Sequence, residues 1–167
     1  LVTAAVGATT AGVGKLNVAM TANGNAAVAT NSKGITFTQA INANGGTVNL
    51  TGINKNTGGG KYGINFGGVS GITAASYTVL GTESYASTTV GSNAGVYFSG
   101  TSNFVSTGTS LINGVNNGQS SAFTAGTWID NGANVLFDAG TSGNLIIKGS
   151  NPNWLTGVRI GNSGNNN

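Results

Sequence analysis

The sequence predicts an all-β protein built as a parallel β-solenoid, and three observations lead to this prediction. A motif of glycine, an apolar residue, any residue and a second apolar residue recurs at intervals near 30 residues. Short segments alternate apolar and polar residues with the period of a strand, and no window shows the i, i+3, i+4, i+7 spacing of a helix. Asn-Gly dipeptides such as Asn44-Gly45 and Asn113-Gly114 separate these segments, and both residue types tolerate the positive φ of turns.

The recurring motif marks one predicted strand in each coil. Its copies begin at Gly34, Gly63, Gly95 and Gly157, so the first two intervals are 29 and 32 residues and the third, at 62, spans two coils. We expect the missing copy at residues 134–137, displaced by an insertion. The inward positions then predict one ladder of aromatic side chains inside the tube: Phe37, Phe66, Phe98 and Phe137.

Two further strands complete each predicted coil. One precedes the motif, as at residues 48–52 and 77–81, and another follows it in several units, as at residues 71–74. Three short strands in about 30 residues fit one coil of a solenoid whose coils stack at the ~4.8 Å spacing of paired strands. A β-sandwich is the competing all-β architecture, since short strands with frequent turns suit it too.

The repeats predict one solenoid segment over residues 1–167. It divides into a weaker repeat at 1–33, clear repeats at 34–110, an insertion-bearing coil at 111–144, a last coil at 145–161 and a Gly/Asn tail at 162–167. The chain starts without Met or a basic region, so we expect a processed product or a piece of a longer chain. Neither end offers an amphipathic helix or a charged strand as a cap, so the ends are expected to stack on neighbouring repeats or on other copies.

The composition argues against several functions. Charged residues make up 5% of the chain, against roughly 25% in ordinary domains. The six basic residues are scattered, which argues against a nucleic-acid groove, and no apolar run reaches the ~18 residues of a membrane span. We therefore expect neither nucleic-acid binding nor membrane insertion.

The chain has few groups that can perform catalysis. It has no His and no Cys, and its only acids are Glu83, Asp130 and Asp138. Asp130 and Asp138 flank one predicted strand and are the only candidate pair for glycoside chemistry or cation binding, with solvated turn residues as the simpler interpretation. The sequence therefore predicts that the protein is not an enzyme and uses no cofactor or metal.

The glycine-rich stretch at residues 57–63, TGGGKYG, only superficially suggests a phosphate-binding loop. A phosphate loop needs Gly at position 55 and Ser or Thr at position 62, where this chain has Lys55 and Tyr62, and a helix should follow. The stretch is instead interpreted as a corner between two solenoid strands, with Gly63 beginning the second strand.

The repeat style resembles a known family of secreted proteins. Three segments carry the resemblance: VNLTGINKNTGGGKYGINFGG at 48–68, TVLGTESYASTTVGSNAGVYFSGTSNF at 78–104 and LIIKGSNPNWLTGVRIG at 145–161. They are similar to the passenger repeats of filamentous haemagglutinin-like exoproteins of the two-partner-secretion type in Gram-negative bacteria. The resemblance implies a right-handed β-helix at the cell surface, exported through an outer-membrane secretion partner and used in adhesion or biofilm contact.

Four residues are candidate contacts and one is a candidate modification site. Tyr97 and Arg159 occupy the outward slot of the motif, and with Trp128 and Trp154 they are predicted to be exposed and able to meet cell-surface glycans. Asn49 lies in the Asn-Leu-Thr sequon at 49–51 and is a candidate glycosylation site. The triplet at 151–153 is similar to the family's Asn-Pro-Asn export motif, but its place near the end favours a turn.

The predicted function is that of a non-catalytic structural solenoid in an extracellular adhesin or surface fibre, giving rigid reach and surface contact and stacking end to end. A carbohydrate-binding or carbohydrate-active β-helix of the tail-spike type is one alternative. A self-assembling, amyloid-like subunit of a biofilm matrix is the other.

Overall fold

The computed structural model describes residues 6–7, 15–23, 33–55, 61–84, 93–118, 124–153 and 156–161. Within these ranges the chain forms fifteen β-strands and no helix. The strands form three five-stranded sheets, and each sheet takes every third strand of the chain. Trp154, the tail at 162–167 and residues 57–60 of the glycine-rich stretch lie outside the described residues.

Each sheet contains one strand from every coil. Sheet I consists of β1 (Val6–Gly7), β4 (Ala40–Asn42), β7 (Val69–Ala74), β10 (Thr101–Ser106) and β13 (Asn134–Asp138). Sheet II consists of β2 (Val18–Asn23), β5 (Thr47–Asn54), β8 (Ser76–Glu83), β11 (Ser110–Asn116) and β14 (Leu145–Ser150). Sheet III consists of β3 (Lys33–Phe37), β6 (Lys61–Phe66), β9 (Asn93–Phe98), β12 (Thr124–Ile129) and β15 (Val158–Ile160).

All strand pairs are parallel, and each pair joins one coil to the next. Ile35 pairs with Ile64, 29 residues further on, and Thr127 pairs with Val158, 31 residues further on. The longest step within sheets II and III, 35 residues from Ser110 to Leu145, spans the coil predicted to carry an insertion. The predicted parallel β-solenoid is confirmed, and the sandwich alternative is wrong because sandwich sheets are antiparallel.

Aromatic side chains stack along the inside of sheet III. The rings of Phe37 and Phe66 are 5.3 Å apart and nearly parallel, and those of Phe66 and Phe98 repeat this geometry. Phe104 of sheet I meets Phe66 and Phe98 edge-on, at 4.9 and 5.5 Å. All four rings are fully buried, so the first three members of the predicted ladder are confirmed.

The predicted fourth member of that ladder is wrong. Phe98 pairs with Ile129 of β12, whereas Phe137 lies in sheet I and pairs with Phe104. The fourth copy of the motif is therefore residues 126–129, in which the polar Thr127 occupies an inward apolar position. Thr127 is fully buried, and its hydroxyl donates a hydrogen bond to the Lys148 carbonyl at 2.6 Å, which offsets the cost of burying a polar group there.

Sheets II and III touch backbone to backbone along two columns of glycine. A side chain added at Gly81 would collide with the backbone of Gly95, and one at Gly114 would collide with the backbone of Gly126. The columns are Gly52, Gly81, Gly114 and Gly149 in sheet II, and Gly34, Gly63, Gly95, Gly126 and Gly157 in sheet III. None of these nine glycines has a positive φ, so close approach is what requires glycine at these positions.

Gly63 shows what this means for the glycine-rich stretch. It lies inside β6, not at its start, and a Cβ there would meet the backbone of Thr82 and Gly52. The interpretation of Gly63 as the beginning of a strand after a corner is therefore wrong. The residue is glycine because two sheets meet at this point.

Candidate functional site

Three aromatic rings stack on the face of sheet III opposite the core. Tyr62, Tyr97 and Trp128 come from successive coils and form a cluster separate from the main core, together with Ala94 and Ala125. The rings of Tyr62 and Tyr97 are parallel with centroids 4.1 Å apart, and Trp128 meets Tyr97 edge-on at 5.2 Å. We call these three residues the aromatic column.

The local sequence explains how rings from neighbouring coils meet. Tyr97 and Trp128 occupy the same outward position of the motif and pair directly across β9 and β12. Tyr62 precedes its glycine and pairs with Ala94, whose small side chain is buried beside the rings. A larger side chain at position 94 would compete with the stacked rings for the same space.

A cation lies at each end of the aromatic column. The Lys33 Nζ atom is 5.9 Å from the centroid of the Tyr62 ring, and the Arg159 Cζ atom is 5.1 Å from that of the Trp128 ring. Lys33 is in the first strand of sheet III and Arg159 in the last. Each contact has cation–π geometry, which adds about 0.5–1 kcal/mol at exposed sites.

The polar atoms of two of these aromatic side chains have hydrogen-bond partners. The Tyr97 hydroxyl donates to Asp130 Oδ2 at 2.7 Å, and the Trp128 indole N–H donates to the Gly161 carbonyl at 3.0 Å. Buried Tyr and Trp side chains usually need such partners, because an unmade hydrogen bond away from water is costly. Asp130 thus fixes the Tyr97 ring, and the Gly161 carbonyl fixes the Trp128 ring.

The candidate contact residues are less exposed than the sequence suggested. Tyr97 is only 9% exposed and Trp128 only 1%, so the prediction that they are exposed contacts is wrong. The coil spacing brings each ring against its neighbour, and this mutual cover buries a face that a single strand would leave open. Arg159 is half-buried over Trp128, so of these three residues it keeps the most access to solvent.

Burial also shifts the ionisation of the tyrosines. Desolvation raises the pKa of Tyr62 to about 12, and its hydrogen bond with Tyr97 partly opposes this rise; desolvation also raises the pKa of Tyr77 to about 12. The pKa of Tyr97 is raised further above its usual value, first by burial and then by its hydrogen bond to Asp130. All three phenols therefore stay protonated throughout the neutral and mildly alkaline range.

Asp130 and Asp138 accept hydrogen bonds from turns. Asp130 Oδ1 accepts from the Asn131 N–H at 2.9 Å, and Asp138 Oδ1 accepts from the Gly140 N–H at 2.8 Å. This matches the interpretation of the two acids as turn residues. In the described ranges, no group of three or more His, Cys, Asp or Glu side chains could hold a metal ion.

A buried polar column, which the sequence pattern did not predict, runs beyond the glycines of sheet II. Asn54 and Asn116 pair in register with Glu83, and all three are fully buried. Asn116 Nδ2 donates to the Asn93 carbonyl of sheet III at 3.0 Å. The signal was present in the sequence, because each of these three residues lies two positions after a glycine.

Asn49 lies on the outer face of sheet II. It pairs with Ala19 and Thr78 in the neighbouring strands, and its side chain is exposed. The sequon is therefore accessible in the folded chain, and its glycosylation stays a prediction.

The last coil presents an apolar end. Within the described part of the chain, β13, β14 and β15 each pair with a strand on one side only. Ile160 is 78% exposed, and Phe137, Leu145 and Ile147 are half-buried where their counterparts in inner coils are covered. We call the surface formed by β13, β14 and β15 the C-terminal face.

The fold defines the chain as a parallel β-solenoid. In comparisons with known proteins, no family model, no curated protein and no solved structure matches it. The described residues include no helix long and apolar enough to cross a membrane.

Proposed function

We propose that the chain is a non-catalytic structural β-solenoid of an extracellular bacterial adhesin or surface fibre. The observation that supports this role most directly is that every coil stacks in register on the next through three parallel sheets. Such a stack links each inner strand to neighbours on both sides and builds length by adding coils. In this role the solenoid extends rigidly from the cell surface, and its outward side chains make the contacts with other surfaces.

The placement of the reactive and aromatic side chains also supports a scaffold. The aromatic column is buried, two of the acids cap turns, and Glu83 lies inside the polar column. The side chains that could take part in catalysis or binding thus stabilise coil stacking instead. The resemblance of the repeats to filamentous haemagglutinin-like exoproteins adds secretion through an outer-membrane partner to the proposal.

Immunogold labelling of cells that encode the chain tests this role. Antibodies raised against the purified chain should label intact, unpermeabilised cells on their outer surface or on surface fibres. An antibody to a cytoplasmic protein is the control for leakage and should label only permeabilised cells. Labelling confined to permeabilised cells would overturn the proposal.

Self-assembly into an amyloid-like matrix is a second candidate, favoured by the parallel, in-register stacking of strands in all three sheets. The same in-register stacking of parallel strands can continue from one chain to the next in a fibril. Electron microscopy of the purified chain separates the two roles: discrete particles support a scaffold segment, and filaments of indefinite length support a matrix subunit.

The carbohydrate alternative loses its leading candidates, because Tyr97 and Trp128 are buried. A glycan array together with a reducing-sugar assay on the purified chain would detect either form of it. Specific binding or release of sugar would favour that alternative over a scaffold.

A further inference from the structure

We propose that Asn131 is a site of spontaneous chemical modification, at which the folded chain loses the side-chain amide and gains a carboxylate. The described residues contain the same Asn-Gly pair four times, beginning at Asn44, Asn113, Asn117 and Asn131. The dipeptide alone does not distinguish these positions, so the selection among them comes from the fold. The inference is independent of the proposed extracellular role.

The reaction needs a backbone nitrogen that can reach the side chain preceding it. The nitrogen of the residue after Asn loses its proton and attacks the Asn Cγ atom, so a C–N bond closes a five-membered succinimide ring. The bond from Cγ to Nδ2 breaks, and the amide nitrogen takes up the proton and leaves as ammonia. Water then opens the ring at either carbonyl and leaves an aspartyl or an isoaspartyl residue. Glycine favours the attack because it has no Cβ to obstruct the approach.

The turn between β12 and β13 meets these requirements. Asn131 and Gly132 are both exposed there. The hydrogen bonds of the turn run from the N–H groups of Asn131 and Ala133 to Asp130. Among the residues that the structure describes, the Gly132 N–H and the Asn131 side chain have no hydrogen-bond partner. Apart from the adjoining residues, no atom lies within 4 Å of a Cβ placed at Gly132, so the two reacting groups can approach each other.

Asn117 is exposed as well, but the nitrogen that would attack it is held. The Gly118 N–H donates to Asn116 Oδ1 at 2.8 Å, and the Asn117 N–H donates to the Glu83 carbonyl at 2.8 Å. Asn153 Nδ2 also donates to the Asn117 and Gly118 carbonyls, at 3.0 and 2.9 Å. Ring closure would have to break the first of these bonds, so the fold protects Asn117.

The other two pairs are also restrained. Gly114 lies inside β11, which pairs with β8 on one side and β14 on the other, so its N–H belongs to the sheet. Asn44 is half-buried in a left-handed conformation, with a φ of 46° and its N–H bonded to Asn42 Oδ1 at 3.0 Å. We therefore expect Asn131 to react fastest, Asn44 more slowly, and Asn113 and Asn117 most slowly.

Modification at Asn131 would place a charge beside the aromatic column. The new carboxylate lies one residue from Asp130, whose Oδ2 atom accepts the hydrogen bond of the Tyr97 hydroxyl at 2.7 Å. An isoaspartyl product would also lengthen the main chain of this turn, because the backbone then passes through the side-chain carbons. The site thus lies where a chemical change can reach a ring that joins two coils.

Peptide mapping by tandem mass spectrometry tests the selectivity. The purified full chain is incubated in mildly alkaline buffer, and a parallel sample in concentrated urea removes the fold. In urea, the four pairs should convert at similar rates. In the native chain, Asn131 should keep nearly its urea rate, whereas Asn113 and Asn117 should slow about tenfold or more because they react only after local opening. Native conversion of Asn113 or Asn117 as fast as that of Asn131, or an Asn131 that converts only in urea, would overturn the proposal.

Gly132→Ala tests the chemical route at this site. The space around Gly132 is open and its φ is not positive, so the variant should fold. The added Cβ should slow conversion of Asn131 about tenfold, since it obstructs the attacking nitrogen. Isoaspartate at position 131 of the parent chain, detected by methylation with an isoaspartyl methyltransferase, is the expected mark of the ring intermediate. Equal conversion in the variant and the parent, or a product without isoaspartate, would contradict attack by the Gly132 nitrogen.

Discussion

Gly45 and Gly114 are both glycine, but for different physical reasons. The dipeptides Asn44-Gly45 and Asn113-Gly114 look alike in the sequence and both predict turns. Asn44 and Gly45 have φ angles of 46° and 76°, as a turn requires. Gly114 instead lies inside β11, where a side chain would collide with the backbone of Gly126. Local sequence could not separate these cases, because the requirement at Gly114 comes from a strand on another sheet.

Replacing Gly114 with Ala should therefore lower the free energy of unfolding by roughly 1–3 kcal/mol, the usual range for overpacking. The neighbouring atoms are backbone and cannot rotate away. Urea unfolding followed by circular dichroism measures the change. Gly132→Ala is the control: it has open space around it and no positive φ, so it should be neutral or slightly stabilising. Equal losses in both variants would contradict the close-approach explanation.

At the scale of the strand, the motif located four of the five strands of sheet III. It failed at β12 because Thr127 replaces an apolar residue, and Thr127 is tolerated there through its hydrogen bond to the Lys148 carbonyl. The alternation of the motif placed Tyr97 on the outward face, but it could not reveal burial. That burial arises from Tyr62 and Trp128 in adjacent coils, and only the register between strands brings them together.

The buried tyrosines predict a specific loss of stability in alkali. The pKa of Tyr62 and of Tyr77 is about 12 in the folded chain, against 10.0 when exposed, so the unfolded chain loses these protons first. The stabilisation is complete below pH 10 and should be lost as the pH rises from about 10 to about 12. Urea unfolding at several pH values in this window measures the slope.

Tyr77→Phe provides the matched variant for this experiment, since Phe keeps the buried ring and cannot ionise. Its stability should fall less steeply above pH 10 than that of the parent chain. A parent stability that stays constant up to pH 12, or identical slopes for the two proteins, would be inconsistent with the pKa shifts.

At the scale of the molecule, the repeat was enough to predict the architecture. A repeat of three strands in about 30 residues is typical of a solenoid, in which equivalent residues of successive coils lie in register. The parallel register of the three sheets confirms this architecture. The proposed role depends on one property of the whole stack, which is that the coils form a single rigid unit.

A spin-label distance between the first and last coils tests that property most directly. Thr21 and Lys148 are exposed and belong to one column of sheet II, linked through Thr51, Leu80 and Asn113. Four strand spacings place their backbones about 19 Å apart. With both residues replaced by labelled cysteines, in label-diluted samples that suppress intermolecular pairs, pulsed electron spin resonance should give one narrow distribution near this value, allowing for the label arms. A broad distribution, or a separation far from four spacings, would contradict a rigid in-register solenoid.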